Sequence, residues 1–201
     1  SYKYFGEYTR EYIISKLRML PAMEEYAKTK VPPALLNNGD HVICVHSRRG
    51  NFVSSKFHAH TTEDFVVPAI ELLVKRVRRK SVTPKIVMLG DDTIWMTNIT
   101  DVSRLKSLNI IVAQNDKSYP AEVEWEFSRQ FCDSVLLTAS SSSYGWWLAY
   151  LSKGYDVYYN AVYSKPGGFQ DAFNPDDFFP PEWTPLEYNS STHSVKVRFP
   201  R

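Results

Sequence analysis

Five short runs of almost wholly apolar residues, separated by stretches with helical spacing, constrain this chain more than any other feature. They are Val42-Ile43-Cys44-Val45, Ile86-Val87-Met88-Leu89, Ile110-Ile111-Val112-Ala113, Val135-Leu136-Leu137-Thr138 and Val157-Tyr158-Tyr159. A strand that is apolar at successive positions, rather than at alternate ones, has to be buried on both faces. Helices are predicted over residues 62–79, 121–131 and 144–152, with one or two short helical turns in 93–107. Strands alternating with helices build right-handed βαβ units and a parallel sheet. The fold class expected is therefore α/β, a Rossmann-like parallel sheet flanked by helices.

The organisation follows from this alternation. Residues 1–37 read as a helical N-terminal segment, with Tyr8, Tyr12, Ile13, Leu17 and Leu20 on one helical face and Pro21 as a kink or restart. Breakers follow at Val31-Pro32-Pro33 and Asn37-Asn38-Gly39-Asp40. Residues 38–162 form the Rossmann-like domain, and residues 163–201, rich in Pro, Gly, Asp and aromatics, read as an irregular tail packed on it. A net charge of +2 is too small to indicate a nucleic-acid partner. No apolar run reaches the roughly 18 residues needed to cross a bilayer. The chain opens on Ser1-Tyr2-Lys3-Tyr4-Phe5 like the interior of a longer protein, so any membrane anchor is expected upstream. Cys44 and Cys132 sit in apolar surroundings outside any CxxC, and are expected as two buried thiols.

Open parallel sheets bind ligands at the carboxyl ends of their strands. The residues just past each run are therefore the candidates. After the first stand His46, Ser47, Arg48, Arg49, Gly50 and Asn51; after the second, Gly90, Asp91 and Asp92; after the third, Gln114, Asn115 and Asp116; after the fourth, Ser140 to Ser143 and Tyr144. A guanidinium fork matches phosphate oxygens, so Arg48 and Arg49 suit a diphosphate, unless they serve ordinary surface ion pairs. Two adjacent arginines point in different directions, so one of them is expected to meet a ligand directly. The serine run before a helix is a second anion cradle, or simply a cap. Asp91 and Asp92 suit a guanine edge or ribose hydroxyls, with Asp92 equally able to cap the next helix. His58-Ala59-His60 lies in a polar loop and is read as surface rather than metal-binding, and no metal or cofactor is expected. There is no GxGxxG and no Walker sequence, which argues against a dinucleotide oxidoreductase or a P-loop enzyme. Asn98 and Asn189 head glycosylation sequons.

Several segments, in order, resemble the α1,2-fucosyltransferases of glycosyltransferase family 11. His46-Ser47-Arg48-Arg49-Gly50-Asn51-Phe52 resembles the family's HxRRGDY motif, and Leu89-Gly90-Asp91-Asp92-Thr93-Ile94-Trp95 its SDDxxW segment. Phe131 to Thr138 with Tyr144 to Leu151 resembles its third motif, Pro181-Glu182-Trp183-Thr184 a closing PEWT, and Ser1 to Phe5 the segment before the donor domain. The serine-rich spacing is most similar to nematode members. The resemblance implies the donor-binding half of a GT-B type glycosyltransferase, with 38–162 as the GDP-sugar-binding domain. It implies transfer of L-fucose from GDP-fucose to a galactoside hydroxyl of a glycan acceptor, α1,2-linked, with inversion and without metal. It places the enzyme on the lumenal side of the Golgi membrane. By the same resemblance Arg48 and Arg49 bind the diphosphate, with Arg49 the favoured essential contact; with the strand-end readings above, the expected GDP-fucose contacts are His46, Arg48, Arg49, Asp91, Asp92, Ser141, Ser142, Ser143 and Tyr144. Asp92, Glu126 and Glu182 are the visible candidates for the proton acceptor. Asn51 replaces the motif's Asp, which either removes a catalytic carboxylate or keeps a turn-forming residue. A catalytically inactive nucleotide-sugar or glycan-binding paralogue, or a transferase using another nucleotide sugar, is the alternative.

Overall fold

The computed structural model describes residues 2–6, 8–32, 36, 39–113, 118–169 and 172–199. A short 3-10 turn, Tyr2–Phe5, precedes helices α1 (Arg10–Lys16) and α2 (Pro21–Ala27). Then come β1 (His41–Ser47), α3 (Gly50–Ser54), α4 (Glu63–Arg78), β2 (Pro84–Gly90), α5 (Thr93–Thr100) and β3 (Ile110–Val112). The chain continues through α6 (Val123–Phe131), β4 (Ser134–Leu137), α7 (Ser143–Tyr150), β5 (Asp156–Asn160) and α8 (Pro175–Phe178) to β6 (Thr184–Asn189) and β7 (Ser194–Val197). Asn37, Asn38 and the third strand's Gln114, Asn115 and Asp116 lie outside the described residues.

All seven strands join one sheet in the order β3-β2-β1-β4-β5-β6-β7. Every pairing is parallel except β6 with β7. The chain winds outward from β1 to β3, then returns to the other side of β1 and winds outward again. This doubly wound, Rossmann-like order puts the topological switch point between β1 and β4. In register, Ser47 lies beside Gly90 and His46 beside Leu137, so the carboxyl ends of β1, β2 and β4 finish level with one another.

The continuous apolar runs are used as the sequence requires. Val42 and Cys44 enter one core cluster and Ile43 and Val45 the other, one on each face of the sheet. Each such fully buried aliphatic side chain contributes on the order of 1.5–3 kcal/mol. On one face α6, α7 and the N-terminal helices pack; on the other, α4 and α5. Arg10 fastens α1 to the end of α7, donating through Nε to the Tyr150 carbonyl at 2.8 Å and through Nη2 to the carbonyls of Ser152 and Gly154. The basic residues 75–80 close α4, whose carbonyl end favours positive charge.

Two expectations are corrected. The tail is not irregular throughout, because residues 184–197 add β6 and β7 to the sheet. Pro185, Glu187 and Asn189 mask the strand pattern, and a proline is tolerated near the edge of a sheet. Cys44 and Cys132 are not two thiols but a disulfide, joining the middle of β1 to the turn between α6 and β4. Apolar surroundings do not distinguish a buried thiol from a buried disulfide. The pairing depends on Asp133 lying beside β1, where the Val42 carbonyl accepts its amide at 2.9 Å.

Candidate functional site

A cavity of about 610 Å³ opens at the switch point. That is an ordinary size for a small-molecule site. Its wall includes His46, Ser47 and Arg48 from the end of β1, Gly90 and Asp91 from β2, and Ser141, Ser142, Ser143 and Tyr144 from the start of α7. Thus seven of the nine residues read as nucleotide contacts converge on one space. The other two, Arg49 and Asp92, do not line it.

The two arginines have different surroundings. Arg48 donates through Nη1 to Asp91 Oδ2 at 2.8 Å and through Nη2 to Asn51 Oδ1 at 2.8 Å. Its guanidinium lies over the Phe52 ring, and a third of the side chain stays exposed. Arg49 donates through Nη1 to the Thr61 carbonyl at 2.8 Å and through Nε to Asp92 Oδ2 at 3.2 Å, and covers the Trp95 ring at 4.5 Å. Arg49 therefore ties the loop before α4 to the start of α5. Asp92 is occupied there too, its Oδ1 capping α5 at the Trp95 amide, 3.0 Å away. The Arg49 amide donates to Asp91 Oδ1 at 2.8 Å. A side chain on Gly50 would place its Cβ 2.4 Å from Asp91 Oδ2, which explains the glycine. Asn51 supplies an amide oxygen to Arg48, a service that needs no charge.

His46 is fully buried, and burial, with the Arg48 charge nearby, pushes its pKa down to about 3. The ring is thus neutral at physiological pH. His46 Nδ1 and Ser47 Oγ are buried side-chain atoms without a hydrogen-bond partner among the described residues, and both residues face the cavity. Buried polar atoms are rarely left so. Gly145 exists to admit the imidazole: a Cβ there would sit 2.5 Å from His46 Nδ1. Around the rim a hydroxyl relay sets the strand ends. Thr61 Oγ1 accepts the Arg48 amide at 2.9 Å and meets Thr138 Oγ1 at 2.7 Å, while Thr138 Oγ1 donates to the His46 carbonyl at 2.7 Å. The α7 end is capped by Ser142, whose Oγ accepts the Gly145 amide at 3.3 Å. A helix N-terminus of this kind can seat an anion.

Several lining residues were not read from the sequence, Lys30, His58 and Glu124 among them. Lys30, buried after α2, brings the N-terminal segment into the cavity wall. His58, expected on the surface, stacks on Phe52 and bonds Ser141 Oγ through Nδ1 at 3.0 Å; burial lowers its pKa. Glu124 is 4 % exposed. Its Oε1 accepts the Gly90 amide at 3.3 Å, and its Oε2 the Tyr144 hydroxyl at 3.0 Å. Burial raises its pKa to about 7 against the pull of Lys30 and Tyr144. Glu122, Glu124 and Glu126 look alike in sequence, as acidic residues at a helix start. Only the fold shows that Glu124 faces the cavity while Glu126 pairs with Arg129 at 2.8 Å. Glu182 is exposed and outside the cavity wall. Among the described residues no cluster of three or more His, Cys, Asp or Glu could hold a metal ion, and no helix is long and apolar enough to cross a membrane. Asn98 is exposed on α5, and Asn189 Oδ1 accepts the amides of Ser191 and Thr192.

The model of the family described as Glycosyl transferase family 11 matches residues 1–187. Among curated proteins of Caenorhabditis elegans, a provisionally named galactoside 2-alpha-L-fucosyltransferase, svh-11, is 36 % identical over 79 % of this chain and 44 % of its own. Two proteins named galactoside 2-alpha-L-fucosyltransferase are 33 % identical over 74 % of this chain and 42 % of theirs, and 31 % identical over 92 % and 50 %. The chain thus spans about half the length of the curated relatives it matches. No solved structure matches it. With the family model covering nearly all of the sheet and the whole cavity wall, the chain belongs to glycosyltransferase family 11.

Proposed function

We propose that this chain is the donor-binding half of a GT-B type fucosyltransferase, transferring L-fucose from GDP-fucose to a galactoside hydroxyl. The linkage is α1,2, the anomeric carbon inverts and no metal takes part. One observation carries the reading. At the switch point, Arg48, the unpartnered polar atoms of His46 and Ser47, and the N-terminus of α7 share one cavity. These groups suit a diphosphate, whose negative charge they meet without a cation.

The division of labour follows the geometry. Arg48, aimed by Asp91 and Asn51, contacts the diphosphate, and Arg49 behind it positions the loop. As the sugar leaves, charge builds on the departing GDP, and a fixed guanidinium aimed at it lowers the barrier; one such donor is typically worth about 3–4 kcal/mol. Asn51 fits this reading, since Arg48 uses its amide oxygen. The Cys44–Cys132 disulfide is compatible with an oxidising lumen such as the Golgi, where we place the protein.

The test is transfer of labelled fucose from GDP-fucose to a β-galactoside by the protein, with the product linkage read by NMR. An α1,2-fucosylated product is expected. Transfer from a UDP-sugar instead would overturn the fucose reading, and nucleotide binding without any transfer would make the chain an inactive paralogue.

A further inference from the structure

Within the reading of this cavity as a nucleoside-diphosphate site, one lining group does not suit phosphate. Glu124 is a buried carboxylate in the wall of a cavity otherwise built for anions. A carboxylate beside a phosphate is repulsive, so Glu124 has to face a neutral part of the ligand that carries hydrogen-bond donors. The second carboxylate of the wall, Asp91, is occupied by the Arg48 guanidinium and the Arg49 amide, both at 2.8 Å. Each Glu124 oxygen meets one donor of the protein, Oε1 the Gly90 amide and Oε2 the Tyr144 hydroxyl, whose single proton is shared with the Ala121 carbonyl. A carboxylate oxygen accepts two, so one acceptor position per oxygen is left for a ligand. Tyr119, Pro120, Ala121 and Tyr144 surround this end of the cavity with flat or apolar surface suited to stacking a base.

We propose that Glu124 reads the nucleobase, its carboxylate accepting the N1–H and the 2-amino group of guanine together. Adjacent donors on one edge distinguish guanine from hypoxanthine, which lacks the amino group, and from uracil, which has a single N–H. Tyr144 and Gly90 hold the carboxylate in place, and Lys30 balances its charge. Specificity of this kind arises because a site built to pair a donor loses affinity for a ligand that lacks it.

Calorimetric titration with GDP, IDP and UDP tests this. The wild-type protein is expected to bind GDP about tenfold or more tighter than IDP, the scale of one charge-assisted hydrogen bond. In Glu124→Gln the amide offers an oxygen to only one donor, and the GDP-to-IDP ratio should collapse to within about twofold, on the same scale. Glu124→Asp should retain part of the preference. No GDP-over-IDP preference in the wild type overturns the proposal whether or not the variants fold. An unchanged ratio in folded Glu124→Gln also overturns it, and equal losses for all three nucleotides would assign Glu124 to the ribose. Wild-type protein that binds UDP in preference to GDP, or none of the three, would instead refute the GDP-sugar reading itself.

Discussion

Replacing Arg48 and Arg49 separately by alanine should have opposite consequences. Arg49 makes two hydrogen bonds, to the Thr61 carbonyl and the Asp92 carboxylate, and stacks on Trp95, with 19 % of its side chain exposed. A hydrogen bond involving a charged group is worth about 1.5–3 kcal/mol, and a partly desolvated cation–π contact about 1 kcal/mol. Discounted for exposure, Arg49→Ala should cost about 2–4 kcal/mol, lowering Tm by roughly 5–15 °C for a domain of this size. Arg48 is a third exposed and its ion pair with Asp91 is near the surface, so its removal should cost no more than about 1 kcal/mol of stability. Under the proposed function, the Arg48 guanidinium at the cavity wall is a ligand contact. Losing it should weaken GDP binding by about 2–3 kcal/mol, roughly 30- to 150-fold. Thermal unfolding and calorimetry on the two variants measure both effects. If Arg49→Ala loses GDP affinity at unchanged Tm while Arg48→Ala binds normally, the assignment of contact and support is reversed and the reasoning fails.

Two further outcomes concern stability. The disulfide closes a loop of 88 residues' separation, for which chain entropy gives about 4–5 kcal/mol. Cys44→Ala/Cys132→Ala should therefore melt at least about 10 °C lower, and alkylation of the denatured wild type without reductant should find no free thiol. Two reactive thiols would refute the pairing. Glu124 gives a pH signature: its folded pKa is raised to about 7 from 4.5, so its stabilising effect is complete below pH 4.5 and disappears as pH rises through 7. From pH 8 to pH 5 the wild type should gain about 2.5 kcal/mol over Glu124→Gln in urea unfolding; a constant difference would refute the burial of that charge.

The sheet's centre was legible because the middles of β1, β2 and β4 are buried on both faces and show it as continuous apolar runs. The outer strands carry no such signature: β6, between β5 and the edge strand β7, is only partly buried, which is why Thr184, Pro185 and Glu187 read as tail. The cavity-lining groups at the strand ends were legible because chain position places them: whatever follows a buried parallel strand stands at the carboxyl edge of the sheet, where the cavity opens. Which of two neighbouring arginines faces the cavity was not, since that depends on the turn into α3 and on partners far along the chain, Asp91 for Arg48 and Thr61 and Asp92 for Arg49. Lys30 and Glu124 escaped for a related reason. Glu124 lies in a helix and Lys30 just past one, where sequence shows a polar residue but not the neighbour that buries it. The cysteines, too, meet only through the docking of Asp133 beside β1.

The central claim, that the β1–β4 switch point holds the nucleotide, is tested most directly by a crystal structure of the protein with GDP. The account predicts the diphosphate between the Arg48 guanidinium and the first amides of α7, within hydrogen-bonding distance of His46 or Ser47. A second cavity, of about 410 Å³, offers Arg10, Arg18, Arg129 and Lys153 beside α1. GDP found there, with the switch point empty, would contradict the account.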